Sequence, residues 1–533
     1  MISFQFSQLT EDLSAALTTL QGRRNSLAPI NRLPLDVLCL ISTHLTSLRD
    51  SLRVTFVCRH WRSIFVQHAA LWSQFQLRLD GTTNRLLVRT LLERAKGAPL
   101  DITADYCASP VHSVALLYPF GRQIGSLTIR ALSSDDVQDL SMAISGPLPL
   151  LHTLEINARR YLGGHITLVT PVIPLFEGAV NLKNFVLNID HLLSLRHFTF
   201  PNLTTLTFSM SAHEFPVSQL LDFLEASPAL RQIRMEIEAR LLCEEVPPER
   251  VIVLSDVKTF SLETATDGPA REIVTHISCP FANSVELTHD RALAEDEVPE
   301  DAYPPSILWH TITRQYAKGT TDRVVLEMTM DWDLSIDSSI TFRSSDGAAL
   351  KFSYFHGVFG EDFDMEMRMK RWLPGVFSQA LRTIRDHPLL ANVRHLCIKG
   401  RVTLTDNFGL ATEGVGQLLG SMGPLENLTL DGCDIRPYLD AFLDTPLFPE
   451  SIQPTSFPPI KELAIIHPMQ SFHDEEVYGS AIVEFARSQK ARGIPFERMT
   501  FFTRVPSLLM DELAAFVDTV EFCDETLSGG DGY

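Results

Sequence analysis

The stretch "PNLTTLTF", Pro201–Phe208, carries the pattern that decides the fold. A proline opens it, a leucine follows two places later, and Leu206 and Phe208 flank a polar Thr207. The same frame, P-x-L-x-x-Φ-x-Φ with Φ apolar, returns in "PLLHTLEI" from Pro149, "PALRQIRM" from Pro228 and "PPIKELAI" from Pro458. "PFANSVEL" from Pro280 keeps the last two apolar places, while "LKNFVL" from Leu182 and "LENLTL" from Leu425 carry the core of the phrase. Side chains of an extended strand alternate between faces, so each phrase predicts a short strand with its Φ residues turned inward.

Spacing says what these strands build. The first Φ positions Leu154, Phe185, Leu206, Ile233, Phe260 and Val285 lie 21 to 31 residues apart, and Leu396, Leu428, Leu463 and Met499 lie 32 to 36 apart. Amphipathic helical stretches precede several of them, such as "VSQLLDFLEA" (217–226) and "SAIVEFARSQKA" (480–491). One strand and one helix per period predict a stacked solenoid, an α+β or α/β repeat. The pattern resembles an irregular leucine-rich repeat. Only "LENLTLDGC", Leu425–Cys433, completes the frame L-x-x-L-x-L-x-x-N/C. Arg159, Asp190, Ser211, Glu238 and Arg401 take the usual Asn place elsewhere, so no asparagine ladder is expected inside those turns.

Ahead of the repeats the periodicity is helical. Leu9, Leu13, Leu17 and Leu20 predict a helix from about Leu9 to Leu27, closed by Pro29, and three heptads are short for a coiled coil. The expectation is a helix packed back on the body. "RLPLDVLCLISTHL" (32–45) then places Leu35, Leu38, Ile41 and Leu45 on one stripe, which Val37, Leu40 and His44 widen. A helix this apolar needs cover on more than one side. "SLRDSLRVTFVCRHWRSIF" (47–65) adds Leu48, Leu52, Val54, Phe56, Val57, Trp61, Ile64 and Phe65, and Leu71 and Trp72 end the segment. A module of about forty residues cannot bury so much apolar surface by itself.

The order Leu33-Pro34-x-Asp36-x-Leu38, Ile41, Leu45, Leu52, Val57-Cys58-Arg59-x-Trp61-Arg62, Leu71-Trp72 resembles the F-box family. Asp36 replaces the commoner Glu and keeps the charge at the helix start. The resemblance implies a three-helix module that docks on a Skp-type adaptor, which in turn holds a cullin ubiquitin ligase. Carried over position by position, the adaptor-binding residues are Leu33, Pro34, Leu38, Ile41, Leu45, Leu52, Val57, Cys58, Trp61 and Trp72. The alternative is a helical cap folded onto the chain's own core.

The organisation read from the chain is an N-terminal helix at 1–29, the F-box at 30–76, a leucine-rich-repeat-like solenoid at 77–522 and a polar tail at 523–533. After the box, "LLERAKGAPLDITADY" (91–106) predicts a helix, a Gly-Ala-Pro break and a strand at Leu100–Ala104. Residues 295–360 break the rhythm: an acidic, proline-bearing loop is followed by several strands with a turn at Ser345-Asp346-Gly347. They read either as distorted repeats with long hairpins or as a small inserted β unit.

Chemistry leaves few traces. Forty-five Lys and Arg against 65 Asp and Glu give a net charge of −20, which opposes binding to a phosphate backbone. The eight cysteines form no C-x-x-C pair or zinc spacing, and the N-terminus lacks a signal-peptide pattern. With no apolar run of about 18 residues, the expectation is a reduced intracellular protein, cytoplasmic or nuclear, without membrane or nucleic-acid contact. No hydrolase, zincin or P-loop motif occurs; "EGVGQLLG" (413–420) lacks the P-loop lysine. The carboxylates of "MDWDLSID" (330–337) and "EDFDMEM" (361–367) read as solvated edges, and the pairs His191/His197 and His467/His473 have no further ligand. No enzyme activity, cofactor or metal is expected.

The resulting expectation is a non-catalytic substrate-recognition subunit of a Skp–cullin–F-box ubiquitin ligase, which holds an unidentified protein target on its repeats. The alternatives are an F-box scaffold acting outside a ligase and an enzyme using the 295–360 segment. Strand residues that alternate with the Φ positions point outward and are the candidates for target binding: Thr205, Thr207, Gln232, Arg234, Glu236, Glu286, His395, Lys399, Asn427 and Thr429. The negative charge hints at a basic or neutral target.

Overall fold

The computed structural model describes residues 2–45, 47–78, 85–105, 117–131, 146–158, 176, 178–189, 195, 198–210, 214–237, 240–242, 247, 250–264, 273–292, 321–330, 336–344, 348–357, 390, 392–402, 425–432, 439, 460–466, 475–502 and 507–523. The turn at 345–347 and the tail beyond Cys523 lie outside these residues, as do 331–335, 361–367, 413–420, His191, His197, His467 and His473. The chain divides into two compact units, Met1–Ala212 with Gln219–Leu230, and His213–Ser218 with Arg231–Tyr533.

The first unit begins with α1 (Ile2–Leu27), α2 (Leu35–Thr43), α3 (Leu48–Val54) and α4 (Arg59–Phe65). A 3-10 turn at Ala69–Trp72 leads into β1 (Gln74–Arg78). Next come α5 (Arg85–Ala95), β2 (Leu100–Asp105), β3 (Ile124–Ala131), β4 (Thr153–Ala158), β5 (Asn184–Ile189) and β6 (Thr205–Met210). Gly97, at φ +85°, turns the chain from α5 toward β2, a backbone conformation that L side chains rarely adopt. The strands β1 to β6 pair in sequence order, each parallel to the next.

The phrase P-x-L-x-x-Φ-x-Φ acts as a stacking unit. Its leading leucine closes a turn: Leu151, Leu182 and Leu203 donate their N–H to the carbonyls of Leu148, Ala179 and Phe200, and all three side chains are buried. Two successive N–H groups then share one carbonyl of the preceding repeat. Lys183 and Asn184 both donate to His152, and Thr204 and Thr205 both donate to Lys183. Leu154, Phe185 and Leu206 are direct cross-strand partners, so the first Φ positions make one buried row. Around Phe185 the rings of Phe198, Phe200 and Phe223 gather at centroid distances of 5.2, 5.2 and 6.1 Å.

Among the described residues, asparagines ladder successive repeats ahead of the strands; Arg159, Asp190, Ser211 and Glu238 lie outside the described residues. Asn181 donates through Nδ2 to the carbonyl of Pro149 at 2.8 Å, and Asn202 does the same to Val180 at 2.8 Å. Both occupy the second place of the phrase, where each reaches the turn of the previous repeat. Asn202→Ala is expected to lower the stability of the fold by no more than about 1 kcal/mol, read from urea melts, because one solvent-exposed hydrogen bond is lost.

In the second unit β8 (Gln232–Ile237), β11 (Thr259–Thr264) and β13 (Ser284–Ala292) run parallel. Two short parallel pairs, β7 (Glu214–Pro216) with β9 (Arg240–Leu242) and β10 (Ile252–Val253) with β12 (Ile277–Ser278), accompany them. After β13 the strand order departs from the sequence order. β14 (Thr321–Met330), β15 (Ile336–Ser344) and β16 (Ala349–Gly357) form an antiparallel meander. Its last strand, β16, pairs parallel with β13, and its first, β14, pairs parallel with β17 (His395–Val402). β18 (Asn427–Asp431), β19 (Glu462–Ile466), β20 (Phe496–Phe501) and β21 (Val517–Phe522) then continue in parallel.

The three described strands of the irregular segment occupy rungs of the sheet itself, as an antiparallel meander between parallel neighbours. The register explains why that is tolerated. Val285 faces Leu350, Leu350 faces Phe342, Phe342 faces Val324, and Val324 faces Leu396. Directly opposed residues share a sheet face whichever way the strands run, so the buried row passes through the meander without a gap. The two amphipathic stretches named from sequence are helical, at Val217–Glu225 and Glu475–Ala491.

Candidate docking surface

The helical module after α1 is small enough to account for residue by residue. Pro34 precedes α2 in an extended conformation (φ −53°, ψ 150°), so the helix proper begins at Leu35. Ser47 caps α3: its Oγ accepts from the Asp50 N–H at 3.1 Å and donates to the Asp50 carboxylate at 2.6 Å. That hydroxyl, then Arg53, hold the Asp50 carboxyl below its ordinary range. Cys58 caps α4, its Sγ accepting from the Trp61 N–H at 3.5 Å. A thiol is an unusual cap, and this gives Cys58 a local structural role.

The core of the module is aromatic. Trp61 and Phe65 meet edge to face at 5.3 Å, and the Trp61 Nε1–H donates to Asn31 Oδ1 at 2.5 Å. Trp72 is 1% exposed; its Nε1–H donates to the Phe65 carbonyl at 2.8 Å, and the Arg94 guanidinium lies 4.8 Å over its ring. Both indole N–H groups have partners, as buried tryptophans require. Leu38, Phe65 and Leu71 complete the interior.

Burial sorts the carried-over set. Leu38, Trp61 and Trp72 build the module and present no free surface to a partner. Leu33, Leu45, Leu52 and Cys58 are half-buried, whereas Pro34, Ile41 and Val57 are exposed. Other residues, which the motif did not mark as contacts, are more open still. Leu40 is 62% exposed and Phe56 71%, and Leu35 and Val37 are exposed as well.

Helix geometry makes α2 two-faced. At 100° per residue Leu38 and Ser42, both buried, share one arc. Val37, Leu40 and His44 lie toward the opposite arc, with Ile41 between the two, and a surface helix ordinarily fills that arc with charged residues. Phe56 and Val57 add two apolar side chains from the α3–α4 connection, Phe56 lying under the Arg62 guanidinium at 5.6 Å. An apolar outer arc on a packed helix marks an interaction surface. The sequence held one signal for it: Val37, Leu40 and His44 widen the stripe beyond what one buried face can use. Cys39, on the same helix, has its thiol pushed up by burial and then by the neighbouring Asp36 carboxylate.

The outward strand faces carry the candidates for target binding. In the first unit Thr205 and Thr207 are half-exposed on β6. A hydrogen-bonded row that the sequence reading missed lies on neighbouring strands. Thr128 donates to Glu155, Asn157 donates to Glu155 at 2.6 Å, and Asn188 donates to Asn157 at 2.5 Å. These residues alternate with Φ positions as Thr205 does, so the same rule could have found them.

In the second unit Gln232, Arg234 and Glu236 line β8, with Arg234 opposite Ser261 and Glu236 opposite Glu263. Glu286 is engaged by Lys351 Nζ at 2.9 Å across β13 and β16. His395 and Lys399 stand opposite Asn427 and Asp431, with Thr429 between those two on β18. The candidates thus fall into an amide- and hydroxyl-rich face around Glu155 in one unit and a mixed-charge face in the other. Among the described residues no cluster of three or more His, Cys, Asp or Glu could hold a metal ion, and no helix is long and apolar enough to cross a membrane.

Comparison with known proteins agrees with the module. Residues 30–78 match the F-box-like family model. No curated protein matches the chain. Among solved structures, InlP of Listeria monocytogenes aligns with 54% of this chain and 88% of its own at 11% identity and a TM-score of 0.21. A likeness at that score carries no weight, and the repeat architecture rests on the strand pairings themselves.

Proposed function

We propose that this chain is a non-catalytic substrate-recognition subunit of a Skp–cullin–F-box ubiquitin ligase, acting inside the cell. The F-box-like domain at 30–78 is where it meets a Skp-type adaptor, and through the adaptor a cullin. The observation that carries this reading is the apolar outer arc of α2, with Phe56 and Val57, on a module whose own core is already complete. The repeat strands hold the protein target on their outward faces. Tethering both ends raises the effective concentration of target near the ligase, and no chemistry of the chain's own is required.

The test is reconstitution of the full chain with a Skp-type adaptor and a cullin. Leu33→Ala with Pro34→Ala is expected to abolish adaptor capture while the thermal melt of the repeats stays in place. A double variant that still binds at the native level would refute the docking assignment. Recovery of the adaptor without any cullin would point instead to a scaffold outside a ligase.

A further inference from the structure

The last described strand, β21, repeats the frame of the earlier rungs. Val517 takes the place of the leading leucine, and Val520 and Phe522 take the two Φ places. Its register with β20 sets Val520 beside Met499 and Phe522 beside Phe501. Met499 and Phe501 are enclosed, like Leu463 and Ile465 before them, yet Val520 is only half-buried and Phe522 is 46% exposed. Terminal repeats of a solenoid ordinarily present a polar outer face, and this one ends on its own core residues.

The backbone is open on the same side. Cys523 donates its N–H to the Phe501 carbonyl, so the N–H and C=O groups of Thr519 and Glu521 also face β20, and those of Val520 and Phe522 face away from it. Among the described residues β21 pairs with no strand but β20. The first strand, β1, differs: α3 and the 3-10 turn at Ala69–Trp72 pack against it. A strand edge with free donors and acceptors takes an extended segment.

Charge selects which segment. Asp518 and Glu521 are exposed on β21, and Asp511 and Glu512 on the helix before it. The neighbouring cations are engaged: Arg498 lies 3.7 Å from Glu462 and 4.0 Å from Glu521, Arg487 lies 3.7 Å from Glu512, and Lys490 donates to the Ala515 carbonyl. The ten residues after Cys523 hold Asp524, Glu525 and Asp531 and no lysine or arginine, so the chain's own tail has the wrong sign for this edge. A second copy would bring the Asp518 and Glu521 carboxylates of both chains to one short seam, an unfavourable gathering of like charge.

We infer that the free edge of β21 takes an extended segment of a partner protein in which apolar and basic residues alternate. The apolar side chains continue the rows that end at Val520 and Phe522. The basic ones stand on the face of Thr519 and Glu521, and their length brings Asp518, at the start of the strand, within reach. Backbone pairing gives attachment, and the alternation gives selectivity. The site is independent of the ligase reading.

Titration of the full chain with two end-blocked nine-residue peptides tests this, one alternating valine with lysine and the other valine with glutamate. In about 0.15 M salt the lysine peptide is expected to bind with a Kd of about 100 µM, and the glutamate peptide at least about tenfold more weakly. Phe522→Asp should weaken the lysine peptide at least about tenfold and leave the thermal melt in place, because the side chain is exposed. Asp518→Lys with Glu521→Lys should reverse the preference between the peptides, which attraction to the overall negative charge of the chain would not do. A lysine peptide that does not saturate by about 1 mM, or a charge-swapped variant that still prefers it, overturns the inference. So does about tenfold tighter binding after removal of residues 524–533, which assigns the edge to the tail, or a dimer that Phe522→Asp dissociates, which assigns it to a second copy. Adaptor capture by these variants should be intact, so this failure is separable from failure of the docking assignment.

Discussion

Replacing Leu40 and Phe56 together by aspartate is expected to weaken capture of a Skp-type adaptor about 1,000-fold and leave the melting transition in place. Apolar anchors at the centre of an interface carry about 2 kcal/mol each, so two of them amount to three decades in affinity. The folded chain loses little, because both side chains are more than half exposed and their removal opens no cavity. Trp72→Ala is the informative contrast. Trp72 is enclosed, its indole N–H is bonded to the Phe65 carbonyl and Arg94 covers its ring, so truncation costs about 3–5 kcal/mol of module stability. It too should lose the adaptor, but together with the module's fold. Titration calorimetry beside a thermal melt separates the two. An aspartate pair that binds within a factor of ten of the native chain would remove the outer arc of α2 from the interface.

Phe185→Ala is expected to cost about 3–5 kcal/mol, the larger of the effects within the repeats. Phe185 is fully enclosed, stands between Leu154 and Leu206 in the buried row and touches three further rings. Its loss removes side-chain burial and aromatic pairing at once, and its neighbours are held by backbone ladders that prevent collapse into the gap. Phe185→Leu should cost far less, about 1.5 kcal/mol, since most of the volume is kept. Val186→Thr, on the half-exposed face of the same strand, should change stability by no more than about 0.5 kcal/mol. Urea melts of the three variants check the ordering. In a repeat array each unit touches mainly its neighbours, so the first variant should also open the adjoining strands to hydrogen exchange. A cost below about 1 kcal/mol would mean that the phenylalanine cluster does not bear the stability assigned to it.

Much of this protein is written in short range. The phrase P-x-L-x-x-Φ-x-Φ specifies a turn, an inward leucine and two inward strand residues, and the register bears it out from Leu154 to Met499. The order and spacing of Leu33-Pro34 through Trp72 likewise mark the F-box-like domain, because many positions of different chemistry agree. Both signals are local: strand alternation and helix phase are fixed by backbone geometry alone.

Tertiary packing decided what local pattern leaves open. On α2 both arcs are apolar, so periodicity has no preferred direction and cannot tell Leu38, which is enclosed, from Leu40, which is not; the packing of Trp61, Phe65 and Trp72 makes that choice. The leucine stripe of α1 is equally suited to the chain's own body and to another helix, and in the structure Leu9, Leu13, Leu17 and Leu20 are all exposed, not packed back on the body. In the meander, alternation predicts each strand but not its neighbour. The order β13, β16, β15, β14, β17 follows from which buried rows can be joined without a break, a long-range condition that no window of sequence contains.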